Sequence, residues 1–290
     1  MKNLKRLSSL LCVAALLFSL SACNNNKVEE STDTGAADAI IAANTKAEEA
    51  TSMSAVTVMH MDIEMSEGSQ NYNINMDMDM NIDMIMDPMQ MQIAFSMDMG
   101  EMLGGVIDGE VYITETDGVY TSHTHTLGQW TTDEIDLGDL AQYNVKATMQ
   151  LYLNSAESFK NEGEETLESG VTATKYSGVI ANDALNEVMA STGVTDNMAG
   201  IAADDSIDWE ALYQDMGDMP VSIWISSDGY PVRYEIDMTQ LMDKMFTNMM
   251  EQLGGSEANI EIGTNAVTMT MDCTYNTITE ISIPEEALAE

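Results

Sequence analysis

The stretch from Asn73 to Gly100, "NINMDMDMNIDMIMDPMQMQIAFSMDMG", decides the fold. Ile74, Met76, Met78, Met80, Ile82, Met84 and Met86 form one row at every second position, backed by Asn73, Asn75, Asp77, Asp79, Asn81 and Asp83. Successive side chains of a strand point to opposite faces, so this period of two puts an apolar row on one face and polar groups on the other. Asp87 and Pro88 break the run, and Met89, Met91, Ile93, Phe95, Met97 and Met99 make a second row beyond them. Strands joined by so short a break are antiparallel neighbours, and Tyr72 to Met86 spans about 50 Å at roughly 3.3 Å per residue. One greasy face and one wet face are expected of an antiparallel sheet that covers something on a single side, and strands of this length twist and curl.

Working outward, Met59, Met61, Ile63 and Met65 form a preceding row opposite His60, Asp62 and Glu64, with a turn at Glu67-Gly68. Before it, Ala36 to Ser52 is alanine-rich, lacks glycine and proline, and predicts a helix. After it, Asp108-Gly109 and Asp117-Gly118 are expected as hairpin turns in a block that closes at Trp130. Helices are expected from Asn144 to Phe159 and Asn182 to Ser191, then a loop or lid from Thr192 to Asp208 and a short helix from Asp208 to Met216.

The last third repeats the strand logic. Val221, Ile223 and Ile225 precede a turn at Asp228-Gly229, and Val232, Tyr234, Ile236 and Met238 follow it. Next, Leu241, Met242, Met245, Phe246, Met249, Met250 and Leu253 make one broad stripe at helical spacing, with Thr239 as N-cap and Gly254 as the stop. A final strand carries Val267, Met269, Met271, Cys273 and Tyr275 on one face.

The N-terminus places this domain in the cell. Lys2, Lys5 and Arg6 precede an apolar run from Leu10 to Leu20 and then small residues, the order of a secretory signal and too short for a spanning helix. Leu20-Ser21-Ala22-Cys23 resembles the lipobox of bacterial lipoproteins, which implies cleavage before Cys23 and acylation of its sulfur, a stable membrane anchor when more than one chain is attached. The organisation expected is a signal peptide over 1–22, Cys23 and a polar tether over 23–35, and a single domain over 36–290. Of the three cysteines, Cys12 leaves with the signal and Cys23 is modified, so Cys273 has no intramolecular partner. Losing Lys2, Lys5 and Arg6 takes the formal charge from −39 to −42. A body so acidic excludes nucleic acid as a partner and is repelled by anionic membrane surfaces.

Chemistry other than apolar binding finds little support. Thioethers select Cu(I), and Met76, Met78 and Met80, or Met269 and Met271 beside Cys273, could supply them, but Ile63, Ile74, Ile82, Ile93 and Phe95 share the same rows and ligate nothing. The run Asp77, Asp79, Asn81 fails as a calcium loop because Ile82 and Pro88 stand where glycine and glutamate are required. His123 and His125 share a strand face without an evident third zinc ligand, and His60 is expected to be solvated. No nucleophile elbow, zinc-protease helix or phosphate loop is present, so no enzyme activity and no cofactor are expected.

The element order, with Gly118, Tyr120, Gln129 and Trp130 in the first block and Trp224, Asp228, Gly229, Pro231 and Arg233 in the second, resembles bacterial lipoproteins of the LolA-like superfamily. That group includes LolA, LolB and the mycobacterial LppX and LprG proteins, and the resemblance is to an uncharacterised Gram-positive branch of it. The resemblance implies an α+β fold, a strongly curved antiparallel half-barrel with helices packed on its concave face around an apolar cavity. The expectation is therefore a monomeric, non-catalytic lipoprotein on the outer face of the cell membrane, binding an apolar ligand such as a lipid. Its wall would be Met59, Met61, Met76, Met78, Met80, Met91, Phe95, Met97, Met242, Met245, Phe246 and Met249. Methionine suits such a wall because its three rotatable bonds let it reshape. A surface Cu(I) buffer using the Met and Cys sulfurs and a structural or sensory envelope protein with a closed core are the alternatives.

Overall fold

The computed structural model describes residues 34–67, 70–100, 105–116, 118–135, 158–185, 216–252 and 260–288. Helix α1 (Thr34–Glu48) leads into six strands: β1 (Ser52–Glu67), β2 (Gln70–Met86), β3 (Met89–Asp98), β4 (Val106–Thr116), β5 (Val119–Thr126) and β6 (Gln129–Ile135). After them come β7 (Lys160–Thr166), β8 (Thr172–Ile180), β9 (Met219–Ser226), β10 (Pro231–Asp237), helix α2 (Thr239–Gln252), β11 (Ile260–Tyr275) and a 3-10 turn at Glu285–Leu288.

All eleven strands join one open, curved antiparallel sheet in the order β6-β5-β4-β3-β2-β1-β11-β10-β9-β8-β7. The chain starts at the centre, walks outward to β6, resumes at the opposite edge with β7 and walks back until β11 lies against β1. That central seam runs from Met53 opposite Tyr275 to Glu67 opposite Ile260.

Register aligns the alternating rows into bands across the sheet. One band reads Val221, Ile236, Met269, Met59, Met78, Met97, Ile107 from β9 to β4. The next reads Tyr176, Ile223, Tyr234, Met271, Thr57, Met80, Phe95, Gly109. A third joins Cys273, Ala55, Ile82, Ile93 and Val111, and a fourth joins Met53, Met84, Met91 and Ile113. Most of these side chains are buried, Met80 and Ile82 completely, so the apolar face is the core of the protein.

Helix α1 packs against β9 and β10 and contributes Ala36, Ile40 and Ala43 to the same core, with the Tyr234 hydroxyl donating to Asn44 Oδ1 at 3.4 Å. Its Lys46 ammonium donates to the Asp228 carbonyl and lies 4.6 Å from the centre of the Tyr230 ring. Helix α2 lies along β11 where β10 has ended, and Asp243 and the Thr239 hydroxyl accept the N–H groups of Thr264 and Val267. The helix thus satisfies backbone donors that would otherwise form a bare strand edge. Thr239 is therefore not a cap: its hydroxyl faces β11, and Asp237 accepts its N–H instead.

The polar face has its own fixtures. Trp224, 2% exposed, sits with the Lys175 ammonium 4.5 Å from its ring centre and the Arg233 guanidinium at 5.7 Å, and its indole N–H donates to Glu165. Arg233 also pairs with Glu235 at 3.0 Å and Asp272 at 3.3 Å. At the other end, Tyr112 and His123 are buried on this face, His123 bonded to Thr132 and His125 stacked on Trp130. The C-terminal tail passes Ser52, whose hydroxyl accepts the Ile278 N–H, and its 3-10 turn packs on β5 and β6.

Several expected boundaries move. Asp108-Gly109 is not a turn but lies inside β4, because a β-carbon on Gly109 would fall on the ring of Phe95 in the neighbouring strand. The sheet does not close at Trp130, since Leu127 and Gly128, with φ of 54° and 75°, form a primed hairpin turn into β6. The first helix stops at Glu48, and Ser52 already belongs to β1. Phe159 is not helical; it is buried against Gly178. Of the Asn182 helix, 182–185 is helical, and Met216 is buried in extended chain. The tether is shorter than expected, since Thr34 and Gly35 already belong to α1. The remainder of the 144–159, 182–191, 192–208 and 208–216 elements, Leu253, Gly254, the signal and residues 23–33 lie outside the described residues. Strands β7 and β8 had no counterpart in the sequence reading.

Candidate functional site

The sequence-selected methionines occupy three places on the apolar face. Met59, Met61, Met76, Met78 and Met97 converge on one partly open hollow of ≈ 10 Å³, and among the described residues these five line it. Met59, Met78 and Met97 are consecutive members of one band on β1, β2 and β3, while Met61 and Met76 face each other in the adjoining band. Neighbouring strands lie about 4.8 Å apart, so side chains on three successive strands reach a common point. Met80 and Phe95 sit one band away, and Met91 lies at the far end beside Met84. Met242, Met245 and Phe246 of α2 are half-buried against the core, and the side chain of Met249 is outside the described set.

A volume of that size corresponds to about one small probe sphere, and a water held there would need two to four polar partners, which thioethers do not supply. Beside the hollow, Thr57 is fully buried between Met80 and Met271, and its hydroxyl makes no hydrogen bond.

The other soft candidate has different chemistry. Cys273 is buried on β11, and that burial pushes its thiol up to about 12 despite a hydrogen bond with Tyr275 that works the other way. A thiolate, the form that ligates metals, is therefore suppressed at neutral pH. Tyr275 is likewise raised well above its ordinary value, first by burial and then by Cys273 and its neighbouring tyrosines. Cys273 shares its band with Ala55, and Met271 and Met269 follow in the next two bands of the same strand face.

Other features are on the polar face. His60 is not simply solvated, since its Nδ1 lies 2.7 Å from an Asp77 carboxylate oxygen across the β1–β2 pair. A larger hollow of ≈ 410 Å³ is bordered by Ser177, Ser222, Glu235, Asp237, Thr268 and Thr270. Those six side chains alternate away from the core and share the border with Gly178, Pro220, Val221, Ile236 and Met269, so the hollow is mixed in character and not the apolar cavity expected from sequence. Among the described residues, no group of three or more His, Cys, Asp or Glu is placed to hold a metal, and no helix is long and apolar enough to cross a membrane. The site missed by sequence reading is the convergence itself, because a single strand shows which residues share a face but not which rows meet.

Fold and site together define a large open antiparallel-sheet protein with a methionine-rich apolar face. The chain belongs to the DUF6612 family, a family of unknown function, whose model matches residues 36–212. A search of curated proteins found no match. Among solved structures, the chain is similar to a DUF1329 family protein from Desulfovibrio piger at 7% identity and a TM-score of 0.23, covering 87% of this chain and 96% of that one. It is also similar to a putative outer membrane lipoprotein-sorting protein domain from Vibrio parahaemolyticus at 6% identity and a TM-score of 0.23, covering 86% and 95%.

Proposed function

We propose that this chain is a non-catalytic, monomeric lipoprotein, anchored through acylated Cys23 to the outer face of a Gram-positive cell membrane, that binds an apolar ligand such as a lipid against its methionine face. The reading makes the sheet a LolA-like half-barrel with α1 and α2 walling its concave side. The observation that carries it is the set of four apolar bands, continuous across the central strands, two of which, through Met59 and through Met84, are rich in methionine. A core needing only stability is served by Leu, Ile and Val, whereas unbranched thioethers repack around a guest at small cost. Opening a ligand site here means displacing side chains such as Met80 and Met97 rather than filling an existing void.

Native mass spectrometry of protein isolated from a Gram-positive host tests this, together with displacement of a fluorescent fatty-acid probe. A co-purifying lipid mass and saturable probe binding are expected. Substitution Cys23→Ala should shift the protein from the membrane fraction to the medium.

The size of the hollow at Met59, ≈ 10 Å³, favours a second reading, a closed core with a structural or sensory role. A clean ligand-free mass with no probe binding would establish that reading over the first.

A further inference from the structure

The geometry points to a binding site for one soft monovalent cation, Cu(I) in chemical class, in the hollow lined by Met59, Met61, Met76, Met78 and Met97.

The objection to metal in this sequence is that methionine shares its rows with isoleucine and phenylalanine. Cross-strand register removes that objection locally. Among the described residues the lining of this hollow is five thioethers, while Ile82, Ile93 and Phe95 fall in other bands and Ile107, Ile63 and Ile74 stand beyond Met97, Met61 and Met76 without lining it. Thioethers are poor partners for water and for hard cations but good ones for Cu(I). The volume, ≈ 10 Å³, admits a single atom-sized guest and excludes an acyl chain, so a cation needs no opening of the face, although its five methionines belong to the wall that the lipid reading uses.

Burying a charge is costly unless it is compensated. Here the compensation comes from two sources. Sulfur atoms of the lining methionines replace the hydration shell, and the opposite face of the same strands carries Asp77 directly across from Asp98, with Asp79 two residues on. Like charges in opposed positions repel one another and favour a nearby cation, although one of them, Asp77, also has the His60 ring beside it. Thioethers do not titrate, so binding should change little with pH.

The test is anaerobic titration of the full chain with Cu(I) against a competing chelator, and with Ag(I) as a redox-inert probe. One equivalent should bind, with zinc failing to compete. Met59→Leu, Met78→Leu and Met97→Leu preserve volume and should fold. Each should weaken binding by at least about tenfold, the loss usual for even an outer-shell partner of a metal. Met84→Leu and Met91→Leu, equally buried on the same strands but away from the hollow, should leave it unchanged. Carbon-13 shifts of the methionine methyl groups should move for the five lining residues alone. No binding, equal loss in the control variants, or shifts spread over all methionines would overturn the site.

Discussion

The ring of Phe95 occupies the place where a β-carbon on Gly109 would stand. The two residues are direct partners across β3 and β4, and Phe95 is 6% exposed, so the ring has no free space to retreat into. Gly109→Ala should therefore overpack the core and cost about 1–3 kcal/mol, seen as a melting temperature lower by several degrees. Gly118→Ala in the β4–β5 turn meets no neighbouring atom but carries a φ of 78°, so its cost is local backbone strain. Only the first variant should perturb the Phe95 ring resonances.

Met80 is completely buried at the centre of the sheet. Met80→Ala should lose about 2–5 kcal/mol through the cavity it leaves, while Met80→Leu should lose under about 1.5 kcal/mol. Urea unfolding of the two variants separates an exacting core from a deformable one.

Thr57 holds a buried hydroxyl with no hydrogen bond, between Met80 and Met271. Val is nearly isosteric and carries no polar atom. Thr57→Val should raise stability by about 1 kcal/mol, read by thermal unfolding, and a destabilised variant would mean that the hydroxyl is satisfied in solution.

Cys273 makes stability fall in alkali. Below pH 9.0 the thiol is neutral in both states; between there and about 12 the unfolded chain gives up a proton that the folded chain keeps, and its contribution is lost. Tyr275 acts in the same direction at higher pH. At about pH 10.5 the thiol alone should account for roughly 2 kcal/mol. Denaturant unfolding at several pH values should show a shallower decline in Cys273→Ala than in the parent protein.

The formal charge of −39 sets a salt response of opposite sign. Self-repulsion among exposed carboxylates is screened by electrolyte, so raising NaCl from about 0.02 to about 0.5 M should raise the melting temperature by several degrees. A flat response would show that the acids are locally compensated.

The alternation around Met76 to Met86 carried most of the fold: it identified the strands, their antiparallel pairing and the buried face. The edge strand β7, "KNEGEET", is exposed at every position, so it presents no alternation to detect. Gly109 misled because the same residue that permits a turn also permits a ring to pass close to the backbone. The stripe of α2 was plain, but Thr239 bonds β11 instead of its own helix, a choice made by tertiary contact. For the site, composition gave the sulfur and periodicity gave the face. The meeting of Met59, Met78 and Met97 depended on three strands in a particular register.

The seam between β1 and β11 has a consequence for how the molecule is made. Hairpins β1 to β6 can pair in order as the chain emerges, since each strand meets the one just synthesised. The other edge of β1 must wait for β11, at the opposite end of the sequence. Until then a long alternating strand presents unpaired backbone and a row of methionines, a template for pairing with another nascent chain. The polar side chains that alternate with that row, His60, Asp62 and Glu64, keep such copies apart during the wait, so the acidic face protects the biogenesis of the protein as well as its solubility.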